Sequence, residues 1–262
     1  MPIIRHSDFV IRHFLQQSPN ANRPHPIITP AMRTLLLTLL ALAPAFAHAE
    51  VPRPTNIVTR EEWKSTPDPI PDNRKHKPRF VTIHHAGVLW TNSQTPEEFL
   101  RNMQAWGKRR PEIEQPPRNT YWPDLAYHFL IGPDGRIFEG RDIAYEPESN
   151  TKYELAGNLG VEMMGDFNQQ RPSPAQLESA VRLTAWLADQ HDIKLDNIRT
   201  HRDAAPGATS CPGDDFYRYF ESGEFKRWVE QLQAGEEPQI TQGEPLPKGP
   251  TESILDTKKK PQ

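Results

Sequence analysis

The chain has 262 residues, with 31 basic against 34 acidic side chains, 35% hydrophobic residues, 28 prolines and a single cysteine. That length holds one ordinary domain or two small ones, and the composition is that of a soluble globular protein. The net charge is −3, and nothing in it supplies the basic patch that a nucleic-acid or anionic-membrane partner requires.

In chain order, the most apolar stretch comes first. Met32-Arg33-Thr34, a mostly apolar run from Leu35 to Phe46, and Ala47-His48-Ala49 have the order of a secretory signal peptide over residues 32–49. The run is too short for a membrane span. Cleavage after Ala49 would leave Glu50 as the mature N-terminus. Residues 1–31 lack periodicity and precede a signal that should begin near its initiator methionine. They are read as an untranslated or disordered leader with translation starting at Met32, the alternative being an unusually long signal segment. No cysteine lies near the cleavage site to carry a lipid anchor. The mature chain is therefore expected in the periplasm or secreted, in an oxidising compartment, as a monomer. Export removes Arg5, Arg12, Arg23, Arg33 and Asp8, leaving 31 less 4 basic against 34 less 1 acidic residues, a net of −6.

Residues 50–233 read as one α/β domain. Phe80-Val81-Thr82-Ile83 is a buried strand by composition. Thr95-Pro96-Glu97-Glu98 is a capping box with proline in the first turn. It predicts a helix to about Lys108 that buries Phe99, Met103 and Trp106. The Pro-rich piece Arg109–Arg118 is a surface loop. Tyr127–Ile131 and Arg136–Glu139 flank Gly132-Pro133-Asp134-Gly135, a hairpin signal. Leu159–Gly165 is a fully buried strand. Ser173-Pro174-Ala175-Gln176 opens a second helix to about His191, burying Leu177, Val181, Thr184, Leu187 and Ala188. A short strand, Asn197–Thr200, follows. A third helix, about Gly223 to Leu232, presents Phe225, Trp228, Val229 and Leu232. The fold class expected is a mixed central sheet packed by helices, with disordered extensions at both ends. Residues 234–262, poor in apolar side chains, form the C-terminal one. Within it, Lys258-Lys259-Lys260 reads as a solvated run rather than as a contact for an anionic polymer.

Three residues stand out for chemistry. His84 ends the first strand, His201 follows Asn197–Thr200, and Cys211 sits in the turn-rich stretch Ala205–Gly213. A lone thiol in an exported chain has no internal disulfide partner, so it is either buried and idle or a ligand. Two imidazoles and a thiolate form a three-ligand set that leaves the fourth tetrahedral position of Zn2+ open to water, the layout of catalytic rather than structural zinc. No CxxC or HExxH spacing supports the choice, and any two of the ten histidines could be paired with the cysteine on paper. Ends of strands and rigid loops are nevertheless where binding residues lie.

The order of motifs adds to this. Ile57–Trp63, Ile83-His84-His85, Trp122–Ile131, Asp134–Arg141, Asn158–Val161, His201-Arg202-Asp203 and Cys211-Pro212-Gly213 follow one another over about residues 56–219. Together they resemble the zinc-dependent N-acetylmuramoyl-L-alanine amidases that share a fold with the peptidoglycan recognition proteins and phage T7 lysozyme. The resemblance implies zinc held by His84, His201 and Cys211, the set that ligand chemistry also suggests. His85 is then a neighbour, since alternation along a strand turns it to the opposite face. Tyr127 matches the family's catalytic tyrosine, and Thr209 falls where relatives carry lysine or threonine. Ala126 replaces a glycine common in the family, and the Arg109–Arg118 insertion is not typical. Without the resemblance, Tyr127 and His128 are ordinary strand residues. Glu139, Arg141 and Asp203 either line the site or form ion pairs that hold the fold.

The substrate implied is peptidoglycan or a soluble muropeptide, cut at the amide between N-acetylmuramic acid and L-alanine. Zinc would acidify water and polarise the carbonyl. Tyr127 and Thr209 would assist with their hydroxyls. With no HExxH glutamate, the group that takes the water's proton is open. Two other readings stand beside this one: a recognition protein that binds muropeptide without cutting it, and a zinc peptidase acting within the stem peptide. The preferred glycan form and the biological role are not specified by the residues.

Overall fold

The computed structural model describes residues 50–109 and 121–258. The expected leader, the signal peptide at 32–49 and nearly all of the Arg109–Arg118 loop lie outside the described residues. Among the described residues, six strands form one mixed sheet: β1 (Ile57–Val58), β2 (Phe80–His85), β3 (Phe129–Ile131), β4 (Ile137–Glu139), β5 (Asn158–Met163) and β6 (Ile198–Thr200). Their spatial order is β1-β4-β3-β5-β2-β6. The β3–β4 hairpin is antiparallel, and the other neighbours run parallel. All six residues of β5 are buried, which is why its sequence does not alternate and, Asn158 and Glu162 apart, carries no polar side chain.

The two longest helices begin where the sequence carries caps. In α1 (Pro96–Gly107) the Thr95 hydroxyl accepts from Glu98 N, and the Glu98 carboxylate accepts from Thr95 N at 2.8 Å. Its buried face differs from the expected one. Phe99, Leu100 and Gln104 are buried, whereas Met103 and Trp106 are half-buried. Gln104 turns inward because it has partners there: its amide donates to Asp124 at 2.7 Å, and its carbonyl accepts from Thr66 N at 2.8 Å. Apolar spacing alone does not reveal a polar residue satisfied in the interior.

In α2 (Pro174–Gln190) the five expected residues are all buried. Ser173 caps it by accepting from Gln176 N. The Gln176 side chain does not close a capping box; it donates to Ile131 O and Met164 O at 3.0 and 2.9 Å. The helix is thereby stapled to the ends of β3 and β5. Three further helices follow: α3 (His201–Ala204), α4 (Asp214–Glu221) and α5 (Glu224–Gln233), the last burying Phe225, Trp228 and Val229.

The C-terminal segment corrects an expectation. Instead of a disordered tail from 234, residues 235–258 lie along the domain. Ile254 is fully buried. Arg171 N donates to Glu252 O, and Ile254 N donates to Arg171 O, both at 2.9 Å. Gln242 donates to Pro172 O at 2.7 Å, and Gln170 donates to the Thr257 hydroxyl at 3.0 Å. The segment has too few apolar residues to fold alone, but one isoleucine and its own backbone groups find partners already supplied by the domain.

Candidate metal centre

Strands β2, β5 and β6 run parallel, so their C-terminal ends reach the same edge of the sheet. In open α/β sheets that edge is where ligands bind. β2 brings His84 there, and β6 ends one residue before His201. The Thr200 hydroxyl and backbone N both donate to Asp203 Oδ2, and Thr200 Oγ1 accepts from Asp203 N. Asp203 therefore caps α3 and sets the chain direction at His201; it is not a site group.

Cys211 arrives from the loop between α3 and α4. Arg202 N donates to Cys211 O at 2.9 Å, and Cys211 N donates to the Thr209 hydroxyl at 3.0 Å. Gly213, at φ +87°, lets the loop press on the Phe167–Asn168 backbone; a Cβ there would sit 2.6 Å from Phe167 C. Alanine would be both strained and crowded.

The ligand atoms of His84, His201 and Cys211 lie within 4.8 Å of one another, and all three residues are buried. Cys211 Sγ is 3.8 Å from His84 Nδ1. The two imidazole centroids are 4.5 Å apart. Burial first, and then the neighbouring imidazoles, lower the pKa of His84 well below its ordinary value. Burial lowers that of His201 to about 4. Both rings are therefore neutral near pH 7, with lone pairs to offer. Burial pushes the Cys211 thiol up to about 12, so it keeps its proton unless a cation replaces it. Two neutral nitrogens and a sulfur converging at a buried point fit zinc, the borderline-soft ion for such donors.

The other residues singled out from sequence fall in different places. Tyr127 is half-buried, its ring 4.9 Å from that of His84. Gly160 leaves it room, since a Cβ there would lie 3.3 Å from the Tyr127 ring. Burial, followed by the charge of Glu162, raises the Tyr127 pKa well above its ordinary value. Thr209 is at the rim, lining a shallow depression with Arg202, Ser210 and Asp214. His85 does face away: its Nδ1 accepts from Phe167 N at 3.2 Å and lies 3.7 Å from Asp166. His128 is structural, accepting from Gly160 N and bonding Tyr145 O, each at 2.8 Å. Glu139 pairs with Arg53 at 3.0 Å, and Arg141 is buried against Leu125 O and Glu148.

Three neighbours were not anticipated. Glu162 on β5 is in register with His84 on β2. It is 1% exposed, and neither carboxyl oxygen has a hydrogen-bond partner. Burial pushes its pKa well above the usual carboxylate range, against a smaller lowering by the Tyr127 hydroxyl that faces it. An acid inside the apolar run Leu159–Gly165 was the available signal, because buried carboxyls without partners are rare outside functional sites. Thr151 and Tyr153 also meet His201: the Thr151 hydroxyl is 2.6 Å from Nε2, and the Tyr153 ring centroid is 5.3 Å from the imidazole. Both come from an irregular loop, where spacing in sequence carries no signal.

Fold and site define an α/β protein with a buried His-His-Cys centre and an unpaired carboxyl beside it. Comparison with known proteins places it further. The family profile described as N-acetylmuramoyl-L-alanine amidase matches residues 74–214. The chain belongs to that family. Peptidoglycan recognition protein 1 of Mus musculus is 29% identical over 194 residues, 73% of this chain and 96% of the relative. Peptidoglycan-recognition protein SD of Drosophila melanogaster is 26% identical over 203 residues, 75% of this chain and 97% of the relative. The N-acetylmuramoyl-L-alanine amidase LysC from Clostridium intestinale shares the fold at TM-score 0.50 and 23% identity, covering 68% of this chain and 99% of that one. Drosophila PGRP-LB does so at TM-score 0.51 and 24% identity, over 63% of this chain and 92% of that one. Among the described residues, no helix is long and apolar enough to cross a membrane.

Proposed function

We propose that this chain is a zinc-dependent amidase that hydrolyses the bond between N-acetylmuramic acid and the L-alanine of peptidoglycan stem peptides, outside the cytoplasm. The observation that carries this is the convergence of His84, His201 and Cys211 within 4.8 Å, together with the unpaired Glu162 carboxyl on the adjacent strand. An ion that acidifies water and a carboxyl able to carry a proton are what hydrolysis needs beyond binding. Zinc, when bound by the three side chains, supplies Lewis acidity toward the scissile carbonyl and lowers the pKa of water.

The chain's own groups supply the rest. Glu162 is the general base that the lack of an HExxH motif leaves unassigned. Burial holds its pKa above the usual carboxylate range, and zinc bound by the neighbouring side chains would oppose that shift and favour the carboxylate that accepts a proton. It takes the proton of the attacking water and returns it to the departing L-alanine amine. Tyr127, whose phenol stays protonated, donates a hydrogen bond to the developing oxyanion. Thr209 acts from the rim; its oxygen accepts from Cys211 N, which leaves its hydroxyl proton free for substrate.

The second reading, a recognition protein without turnover, is favoured by one fact: the relatives matched at 26–29% identity are named as peptidoglycan recognition proteins. Mass spectrometry of purified peptidoglycan treated with residues 50–262 separates the two. Stem peptides with a free L-alanine amine, released with metal and not after chelation, establish the amidase. Wall binding with no soluble product establishes recognition, and shortened stems with the lactyl amide intact establish a peptidase.

A further inference from the structure

The segment from Glu148 to Tyr153 is irregular, yet it is anchored at its start. Glu148 is 4% exposed and its carboxylate meets both Arg74 and the fully buried Arg141, the latter at 3.2 Å. Glu148 N donates to Ala126 O, and Arg141 N to Tyr127 O. The Arg141 guanidinium also donates to Leu125 O at 2.7 Å and Glu146 O at 2.9 Å. This clasp ties the chain carrying Tyr127 to the loop that follows. Just beyond it stand Ser149 and Thr151, whose hydroxyls are 3.0 Å apart, and Thr151 Oγ1 is 2.6 Å from His201 Nε2. Ser149 Oγ lies at the 3.5 Å limit from the same nitrogen.

We propose that Thr151 is a positioning residue that decides which nitrogen of His201 meets the metal. It accepts the Nε2 proton and so presents the Nδ1 lone pair to the site. Either hydroxyl can donate in the Ser149–Thr151 contact, and we take Thr151 as its donor. With the Thr151 proton directed to Ser149 Oγ, Thr151 is left as an acceptor toward the ring. A neutral imidazole carries one proton, so holding it at Nε2 bares Nδ1. Ring nitrogens turned away from a metal are ordinarily fixed by such a partner, and losing one costs ten- to a hundred-fold in metal affinity. The Arg141–Glu148 clasp keeps the hydroxyl in place, so one buried ion pair serves both the tyrosine and the histidine.

This inference rests on the zinc reading above but not on amidase activity. Zinc affinity is measured by chelator competition on the wild type, Thr151→Val and Thr151→Ser, with the apo unfolding midpoint of each. The valine variant keeps the shape and is expected to bind zinc about ten- to a hundred-fold more weakly with an unchanged midpoint. The serine variant restores affinity. In the zinc-loaded wild type, ¹⁵N NMR of His201 is expected to show the proton on Nε2. Equal zinc affinity in wild type and valine variant, or a proton on Nδ1, overturns the assignment of Thr151 alone. A wild type that fails to bind zinc overturns both this and the zinc reading. Weakened zinc binding in the valine variant of a protein that cuts nothing supports Thr151 while the amidase reading falls.

Discussion

Cys211 illustrates how one side chain carries different chemistry with and without a cation. Buried and alone, its thiol holds a proton up to about pH 12; as a ligand it must give that proton up. Cys211→Ala is expected to abolish zinc binding and turnover together, as read by metal analysis and peptidoglycan digestion; a zinc-loaded, active variant would remove it from the ligand set. Glu162→Gln keeps the size and removes the base. It is expected to retain zinc and to lose about 10²–10⁴ in rate, the usual contribution of a positioned acid–base group. Tyr127→Phe is likewise expected to keep zinc and to slow hydrolysis by about 10²-fold. Wild-type rates in either variant would transfer the proposed role to another group. Each of these residues is half-buried or buried, so the metal analysis is what separates a chemical loss from a folding loss.

At the scale of elements, parallel strands explain why residues 84, 162 and 201 meet. Each strand delivers its C-terminal residues to the same edge, and register sets Glu162 beside His84. The helices are more conventional: α2 buries the stripe its spacing predicts, whereas α1 buries Gln104 because Asp124, Ser65 and Thr66 satisfy its amide. The C-terminal segment behaves as part of the domain. Ile254 packs over Gly165, where a Cβ would lie 2.7 Å from its Cδ1. Ile254→Ala is expected to destabilise the protein by about 2–5 kcal/mol, the range for emptying a buried isoleucine site, measured by urea unfolding. An unchanged midpoint would mean that the segment adds nothing to the fold.

For the molecule as a whole, buried neutral histidines impose a pH dependence on stability. His128 is held by Gly160 N and Tyr145 O, and burial lowers its pKa from 6.5 to about 3. Between those values the unfolded chain binds the extra proton and the folded chain does not, so stability present above about pH 6.5 is lost as pH falls toward about 3, and the slope vanishes below. Unfolding of the chelator-treated protein at stepped pH is expected to show this decline, and His128→Gln to flatten it; a profile indifferent to that change would assign the acid sensitivity elsewhere. The sequence by itself determined the elements whose signals are local: caps at Thr95 and Ser173, the Gly135 hairpin and the buried β5 run; for the site it offered candidate donors. Tertiary structure alone decided which donors meet, that Glu162 stands beside His84, that Thr151 touches His201, and that residues 235–258 are ordered. Caps and periodicity act between residues a few positions apart, so the chain records them in its order. Strand register and loop packing join residues 50 to 127 positions apart, and their energies arise only once the sheet has closed around them.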